Sequence, residues 1–188
     1  MVERCSWCEG HPEYISYHDE EWGVPERDSR ALFESLILEG FQSGLSWITI
    51  LKKREGFRRA FAAFDPDVIA NWGDDEIERL VQDEGIVRHR GKIAATIKNA
   101  RAWQEIEAKG GFSEFIWRYV DGIPLQPQRA ALSDVPAKTD LSTQISKDLK
   151  KAGFGFCGPT TVYAFMQAAG LVNDHVVTCH RFEPLSGG

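Results

Sequence analysis

Apolar positions recur along this chain at three- and four-residue intervals, the period of one helical face. Leu32, Leu36 and Ile37 share such a face behind Asp28, a good N-cap residue, and predict a helix running to Glu39 and Gly40. Leu45, Ile48 and Leu51 predict another, with Lys52, Lys53 and Arg54 as its C-terminal turn. Phe57, Phe61 and Phe64 form a further stripe, and Asp65-Pro66 reads as an N-cap followed by the first position of a new turn. Residues 74–83 turn Ile77, Leu80 and Val81 inward and end at Gly85. Ile93, Ile97 and Ala100 open a longer helix towards Lys109, before the Gly110-Gly111 break, and Phe112, Phe115, Ile116 and Tyr119 form the next. Residues 121–141, with Pro124, Pro127 and Pro136, read as loop; two last helices are predicted at residues 141–152 and 159–169. No period-two segment is sustained, so the predicted fold is all-α, and 188 residues suit one domain with a real core.

The link between the last two helices changes this picture. Gly153-Phe154-Gly155-Phe156-Cys157-Gly158 matches the spacing of the dinucleotide fingerprint Gly-x-Gly-x-x-Gly, but that motif requires a preceding strand. The preceding residues, 146–151, are helical, so the dinucleotide reading fails. A helix–glycine turn–helix unit has another use: glycines admit a ligand close to the backbone, and the second helix presents free N–H groups. At Gly158, Thr160 and Thr161, behind Pro159, these form an anion site suited to a DNA phosphate, as in a helix-hairpin-helix, with Lys147, Lys150 and Lys151 adding local charge. The alternative is a plain helical hairpin whose glycines only permit a tight turn.

Cysteine and histidine cluster near both ends. Cys5 and Cys8 make a Cys-x-x-Cys, His18 follows, and His175 and Cys179 form a His-x3-Cys pair that one helical turn would place on the same face. A thiolate and an imidazole from each end would build a closed tetrahedral zinc site tying the termini together. His11, His180 and Cys8 compete for ligand roles, so spacing alone leaves the set open.

Composition adds limits. The chain is 43% hydrophobic and 27% charged, without a run long enough for a membrane helix. No signal-peptide core follows Met1, so the cytoplasm is the expected compartment and thiols or metal ligands are expected in place of disulfides. A net charge of −6 argues against a generic nucleic-acid binder. DNA binding then requires a small local patch or uncharged backbone donors.

Several blocks together resemble one family. Residues 14–25 (Tyr-Ile-Ser-Tyr-His-Asp-Glu-Glu-Trp-Gly-Val-Pro) and 38–54 (Leu-Glu-Gly-Phe-Gln-Ser-Gly-Leu-Ser-Trp-Ile-Thr-Ile-Leu-Lys-Lys-Arg) are similar to the signatures of 3-methyladenine DNA glycosylase I. So are residues 85–93 (Gly-Ile-Val-Arg-His-Arg-Gly-Lys-Ile), 165–168 (Phe-Met-Gln-Ala) and 170–175 (Gly-Leu-Val-Asn-Asp-His). The resemblance spans nearly the whole chain in order; Phe41, Ser43, Cys8 and Pro159 depart from the family pattern. It implies a helix-hairpin-helix DNA glycosylase fold over residues 1–188, the hairpin at about 141–170, and termini (1–20 and 171–188) joined by structural Zn2+ on Cys5, His18, His175 and Cys179. It also implies hydrolysis of the N-glycosidic bond of 3-methyladenine in double-stranded DNA, and a monomer is the natural expectation for an enzyme that scans DNA.

That chemistry assigns roles. The methylated base is cationic while attached to its sugar, so it leaves readily once extruded from the helix. Aromatic faces suit a cationic ring, and Trp7, Tyr14, Tyr17 and Trp47 are the candidates. Glu39, near the end of an apolar helix, is the candidate catalytic and base-recognising carboxylate; Asp174 is the alternative for assisting water. Gln42 and Leu45 are candidates to fill the gap left in the base stack, and Gly153, Gly155, Gly158, Thr160 and Thr161 to hold phosphate. Two other readings are a non-catalytic, zinc-stabilised DNA-binding module, and a thiol redox protein using Cys5 and Cys8.

Overall fold

A computed structural model describes residues 2–187; Met1 and Gly188, at the outer ends of the two terminal ranges, lie outside the described residues. Helices dominate: α1 Pro12–Glu20, α2 Ser29–Gln42, α3 Trp47–Ala60, α4 Pro66–Ile69, α5 Asp74–Leu80, α6 Arg90–Glu107, α7 Phe112–Trp117, α8 Asp140–Lys151 and α9 Pro159–Ala168. Among the described residues there is no strand, only isolated bridges joining Leu125 to Val172 and Arg129 to Val176.

The starts of these helices follow from their caps. The Asp28 carboxylate accepts from the N–H groups of Arg30 and Ala31, and Asp65 does the same for Asp67. Thr139 and Ser142 bond reciprocally at the start of α8. Three details differ from expectation. Helix α3 continues through Lys52, Lys53 and Arg54 to Ala60, because their charged ends reach solvent, Glu84 or Glu21 while Ile50 and Phe57 stay buried. Helix α5 stops at Leu80, short of Gly85, and α1 had no sequence signal that we used. Residues 175–179 form a turn, closed by Cys179 N–H donating to the Val176 carbonyl, in place of a helical turn.

Phe33, Phe41, Phe57, Phe61, Phe64, Phe112 and Phe165 are fully buried and join α2, α3, α6, α7 and α9 into one core. Helix α2 runs through its middle and packs against α3, α6, α7 and α9. A smaller cluster, of Cys5, Tyr17, Trp22, Val176 and Cys179, gathers the two ends of the chain. Between them, the segment after α1 clasps the end of α9: Gly23 N–H donates to Gln167, and Glu26 N–H to Ala169. Gly170 sits under this clasp with φ +74°, and a Cβ there would stand 2.5 Å from the Val24 carbonyl carbon and the Pro25 nitrogen. No helix of the described residues is long and apolar enough to cross a membrane.

Gly170→Ala combines left-handed strain with a backbone clash, and is expected to lower unfolding free energy by about 3 kcal/mol in urea titrations. A loss below about 1 kcal/mol would show that the clasp can move away.

Candidate functional site

Cys5, His18, His175 and Cys179 converge, all buried, with ligand atoms within 4.8 Å of one another. Cys5 Sγ lies 3.7 Å and Cys179 Sγ 3.4 Å from His175 Nδ1, and Cys179 Sγ lies 3.5 Å from His18 Nε2. A tetrahedral zinc ion with N and S ligands has edges of roughly 3.3–3.8 Å, so the donors fit a metal of that size. The second ring nitrogens are also occupied. His18 Nδ1 meets the Asp19 carboxylate at 2.8 Å, and His175 Nε2 donates to the Trp22 carbonyl at 3.0 Å. These contacts turn His18 Nε2 and His175 Nδ1 towards the sulfurs. Facing Cys5, and then His175 and His18, hold the Cys179 thiol well below its usual range. Asp19 is held by Arg4, His18 and His180, and its carboxyl lies well below the ordinary value, Arg4 being the main cause.

The competing donors sit elsewhere. The Cys8 thiol donates to the Cys5 carbonyl at 3.1 Å, His180 reaches Asp19, and His11 is exposed. Cys5 thus faces His175 and Cys8 a backbone oxygen.

Beside this cluster opens a cavity of about 420 Å³. Trp7, Tyr17, Trp22, Trp47, Glu39, Gln42 and Asp174 line it, with Leu132, Val135, Ala164 and Gln167. The aromatic side chains brace one another: Trp7 packs edge-on to Trp22 at 5.0 Å, and Tyr17 leans on Trp47 at 5.5 Å between ring centres. Trp22 in turn stands edge-on to His175 at 4.6 Å, so the cavity wall rests on the Cys–His cluster. Tyr14 is not among the lining residues. Its ring packs against Trp7, and its hydroxyl accepts from the Ile48 N–H at the start of α3.

Two carboxyl groups face this cavity in opposite circumstances. Both Asp174 oxygens are taken: Arg129 donates to Oδ1 at 3.0 Å, while Tyr163 (2.5 Å) and Gln167 (3.0 Å) donate to Oδ2. Glu39 is 5% exposed, and no protein group donates to it among the described residues; burial alone pushes its carboxyl up to about 8. Burial thus favours the protonated, neutral form of Glu39. The same burial, with Glu39 next, raises the Tyr17 phenol well above its usual value. Trp47 Nε1 is buried without a hydrogen-bond partner. The Glu39 carboxyl thus faces an aromatic-walled cavity with no hydrogen-bond partner of its own among the described residues.

Of the remaining sequence candidates Gln42 also lines the cavity, whereas Leu45 and the glycine turn are not among its lining residues. Leu45 is 39% exposed on the loop between α2 and α3, and Gln42 uses its amide to donate to the Leu45 carbonyl at 2.7 Å. In the glycine turn, Gly153 has φ +107°, whereas the Gly155 N–H is already bonded to Asn99 Oδ1 at 2.7 Å. Gly158 caps α9 with no side-chain bond to its first turn, where Thr160 is exposed and Thr161 half-buried. Sequence reasoning did not find Trp22, Leu132, Val135, Ala164 or Gln167. Leu132 and Val135 lie in the proline-rich loop and Gln167 on a helix, and only packing brings them to the cavity.

Comparison with known proteins places this geometry. The family model described as Methyladenine glycosylase matches residues 7–182. The chain is 55% identical over 179 residues to DNA-3-methyladenine glycosylase 1 of Escherichia coli (strain K12), covering 95% of this chain and 96% of that one. It superposes with a TM-score of 0.93 on a crystal structure of a 3-methyladenine DNA glycosylase I, at 55% identity over 95% of this chain and 98% of that one. A variant of a 3-methyladenine DNA glycosylase I, solved in complex with 3-methyladenine, superposes at 0.91 with 44% identity, over 94% and 96% of the two chains.

The pH dependence of stability tests the Glu39 environment. Between the ordinary carboxyl value of 4.5 and about 8, the folded chain keeps a proton that the unfolded chain has lost, so this group makes stability fall as pH rises. Glu39→Gln removes that slope. Its unfolding free energy relative to wild type is expected to rise by a few kcal/mol from pH 5 to pH 8, because each pH unit in this window contributes about 1.4 kcal/mol at most. Parallel urea curves at both pH values would mean that Glu39 is solvated.

Proposed function

The chain belongs to the methyladenine glycosylase family, and from that premise we propose that it excises 3-methyladenine from DNA by hydrolysing the N-glycosidic bond. The observation that supports this best is Glu39, a buried carboxyl with no partner on an aromatic-walled cavity. A flipped 3-methyladenine nucleotide brings a delocalised positive charge into that cavity. Tyr17, Trp47 and Trp7 offer π-faces to it, each worth about 1–2 kcal/mol when desolvated. The arriving cation also favours the ionised form of Glu39, which then accepts a hydrogen bond from the adenine edge. Tyr14 supports this wall from behind. Asp174, its oxygens already bonded, serves as a fixed negative group and not as a free base for water.

The rest of the machinery follows the same reading. The Gly153–Gly155–Gly158 turn and the uncapped start of α9 at Thr160 and Thr161 receive a DNA phosphate, as a helix-hairpin-helix does, which needs no net positive charge. Leu45 and Gln42 meet the base stack where the nucleotide has left it. Zn2+ on Cys5, His18, His175 and Cys179 holds both ends of the chain, supplies no chemistry to the reaction, and fixes the wall carrying Trp7 and Trp22. A single copy of the chain contains every group named. A non-catalytic DNA-binding module would have no use for a carboxyl buried at such cost.

Methylated duplex DNA incubated with the protein is expected to release 3-methyladenine and to spare 7-methylguanine, read by chromatography of free bases. Glu39→Gln is expected to slow release by about 10- to 100-fold. DNA binding without base release would leave a binding module. Separately, one zinc per chain is expected by elemental analysis. Its removal by a strong chelator, or Cys5→Ser, is expected to lower the melting temperature by about 10 °C or more. An unchanged melting point in metal-free protein would reduce the cluster to ordinary hydrogen bonds.

A further inference from the structure

Helix α2 carries Glu39 and Gln42 in its last turn and then stops abruptly, Ser43 leaving the helix at φ −49°, ψ 115°. The Leu45 N–H, which would serve the Phe41 carbonyl in a continuing helix, bonds instead to Gln42. The carbonyl groups of Phe41 and Ser43 are both taken by one side chain from a distant part of the sequence. Lys92 Nζ donates to Phe41 O at 3.0 Å and to Ser43 O at 2.8 Å. Lys92 is 8% exposed and makes no ion pair among the described residues. A buried ammonium without a carboxylate is costly, and one committed to backbone oxygens calls for a reason.

Its surroundings supply one. Lys92 stands in the first turn of α6, which His89 Nδ1 caps by accepting the Lys92 N–H at 3.1 Å. Two helical turns further on, Asn99 binds the glycine turn twice, through the N–H and the carbonyl of Gly155. Gly40 lies so close to that turn that a Cβ would stand 3.1 Å from the Phe156 carbonyl. One helix, α6, thus grips the loop carrying Leu45 with Lys92 and the glycine turn with Asn99. The block at residues 85–93, which the chemistry of the cavity leaves unused, contains the first of these grips.

We propose that Lys92 is a positioning residue: by holding the Phe41 and Ser43 carbonyls it sets the Leu45 loop in register with the α8–α9 turn, so that one duplex engages both. This rests on the reading that the loop enters the base stack. The cation suits the negative end of α2, and its two bonds leave it facing the backbone and not the solvent. It acts on DNA through the loop, without touching phosphate.

Lys92→Met, with Lys92→Arg as the conservative variant, tests this in two independent ways. Hydrogen exchange at residues 43–46 in the DNA-free protein is expected to quicken about tenfold or more in Lys92→Met, with α8 and α9 unchanged. This readout holds whether or not the chain releases a base, so failure of the glycosylase reading is seen separately, as wild type that frees none. On methylated duplex, kcat/KM is expected to fall about tenfold, but less than about twofold on single strands, with Lys92→Arg recovering part. The slope of duplex affinity against salt stays as in wild type, whereas loss of a phosphate contact would lower it by about one. Combined with Leu45→Ala, the two losses are non-additive. Unchanged exchange at residues 43–46, equal losses on duplex and single strand, additive losses, or a reduced salt slope would each overturn the clamp.

Discussion

The meeting of the chain's two ends at Cys5, His18, His175 and Cys179 is the constraint on which the functional half of the molecule depends. These residues close a loop of nearly the whole chain, the arrangement in which a cross-link removes most entropy from the unfolded state. The closure also has direction. His175 reaches it only with its other nitrogen on the Trp22 carbonyl, and Trp22 packs on both His175 and Trp7. The part of the cavity wall formed by Trp7, Trp22 and Asp174 comes from short terminal segments, while α1, α2, α3 and α9 supply Tyr17, Glu39, Gln42, Trp47, Ala164 and Gln167. Trp7, in a single short turn, is held against α1 by Tyr14 and Tyr17 and against the cluster through Trp22.

The acidic net charge bears on DNA binding only through where the unpaired charges sit. Arg54 is paired with Glu21, Arg58 with Glu34 and Glu55, Arg30 with Asp65 and Asp67, and Arg90 with Glu78. Arg129 is engaged by Asp174 and Lys92 by carbonyl oxygens. These pairs cancel in the sum and leave the net charge of −6 unchanged, and the exposed ones add little stability. What a phosphate would meet is local: the helix start at Gly158 and the exposed lysines 147, 150 and 151. The charge of the whole protein says little about that surface.

How much could be read from the sequence follows the range of the forces involved. Local rules located α2 through Asp28 and its apolar face, the cap at Asp65, and the glycine link before α9, because each is decided within a few residues. The break placed at Lys52 to Arg54 was wrong because charge on one side of a helix says nothing about the side that carries Ile50 and Phe57. The His175–Cys179 spacing located the right pair by the wrong geometry, since a turn delivers the same approach as a helix. Leu132, Val135 and Gln167 were illegible as cavity walls, because only the packing of the long loop against α9 brings them there. That Cys5 and not Cys8 joins the cluster with His18, His175 and Cys179 needed the folded structure or the family resemblance; their spacing alone could not decide it.

The two carboxyl groups at the cavity show how one site keeps them apart. Asp174 receives three donors, so its charge is satisfied and its position fixed. Glu39 receives none, so the fold bears the desolvation of a group it does not itself use. Packing alone would favour a leucine or methionine at such a position, the more so because α2 is apolar on both sides of it. A neutral acid differs from leucine in one respect that matters here: it becomes an anion when a cation arrives. A neutral purine offers no charge to draw out that proton, while a base alkylated on the ring and still joined to its sugar does. On the proposed excision of a cationic base, the cost of ionising Glu39 would be offset by a charged base and not by a neutral purine.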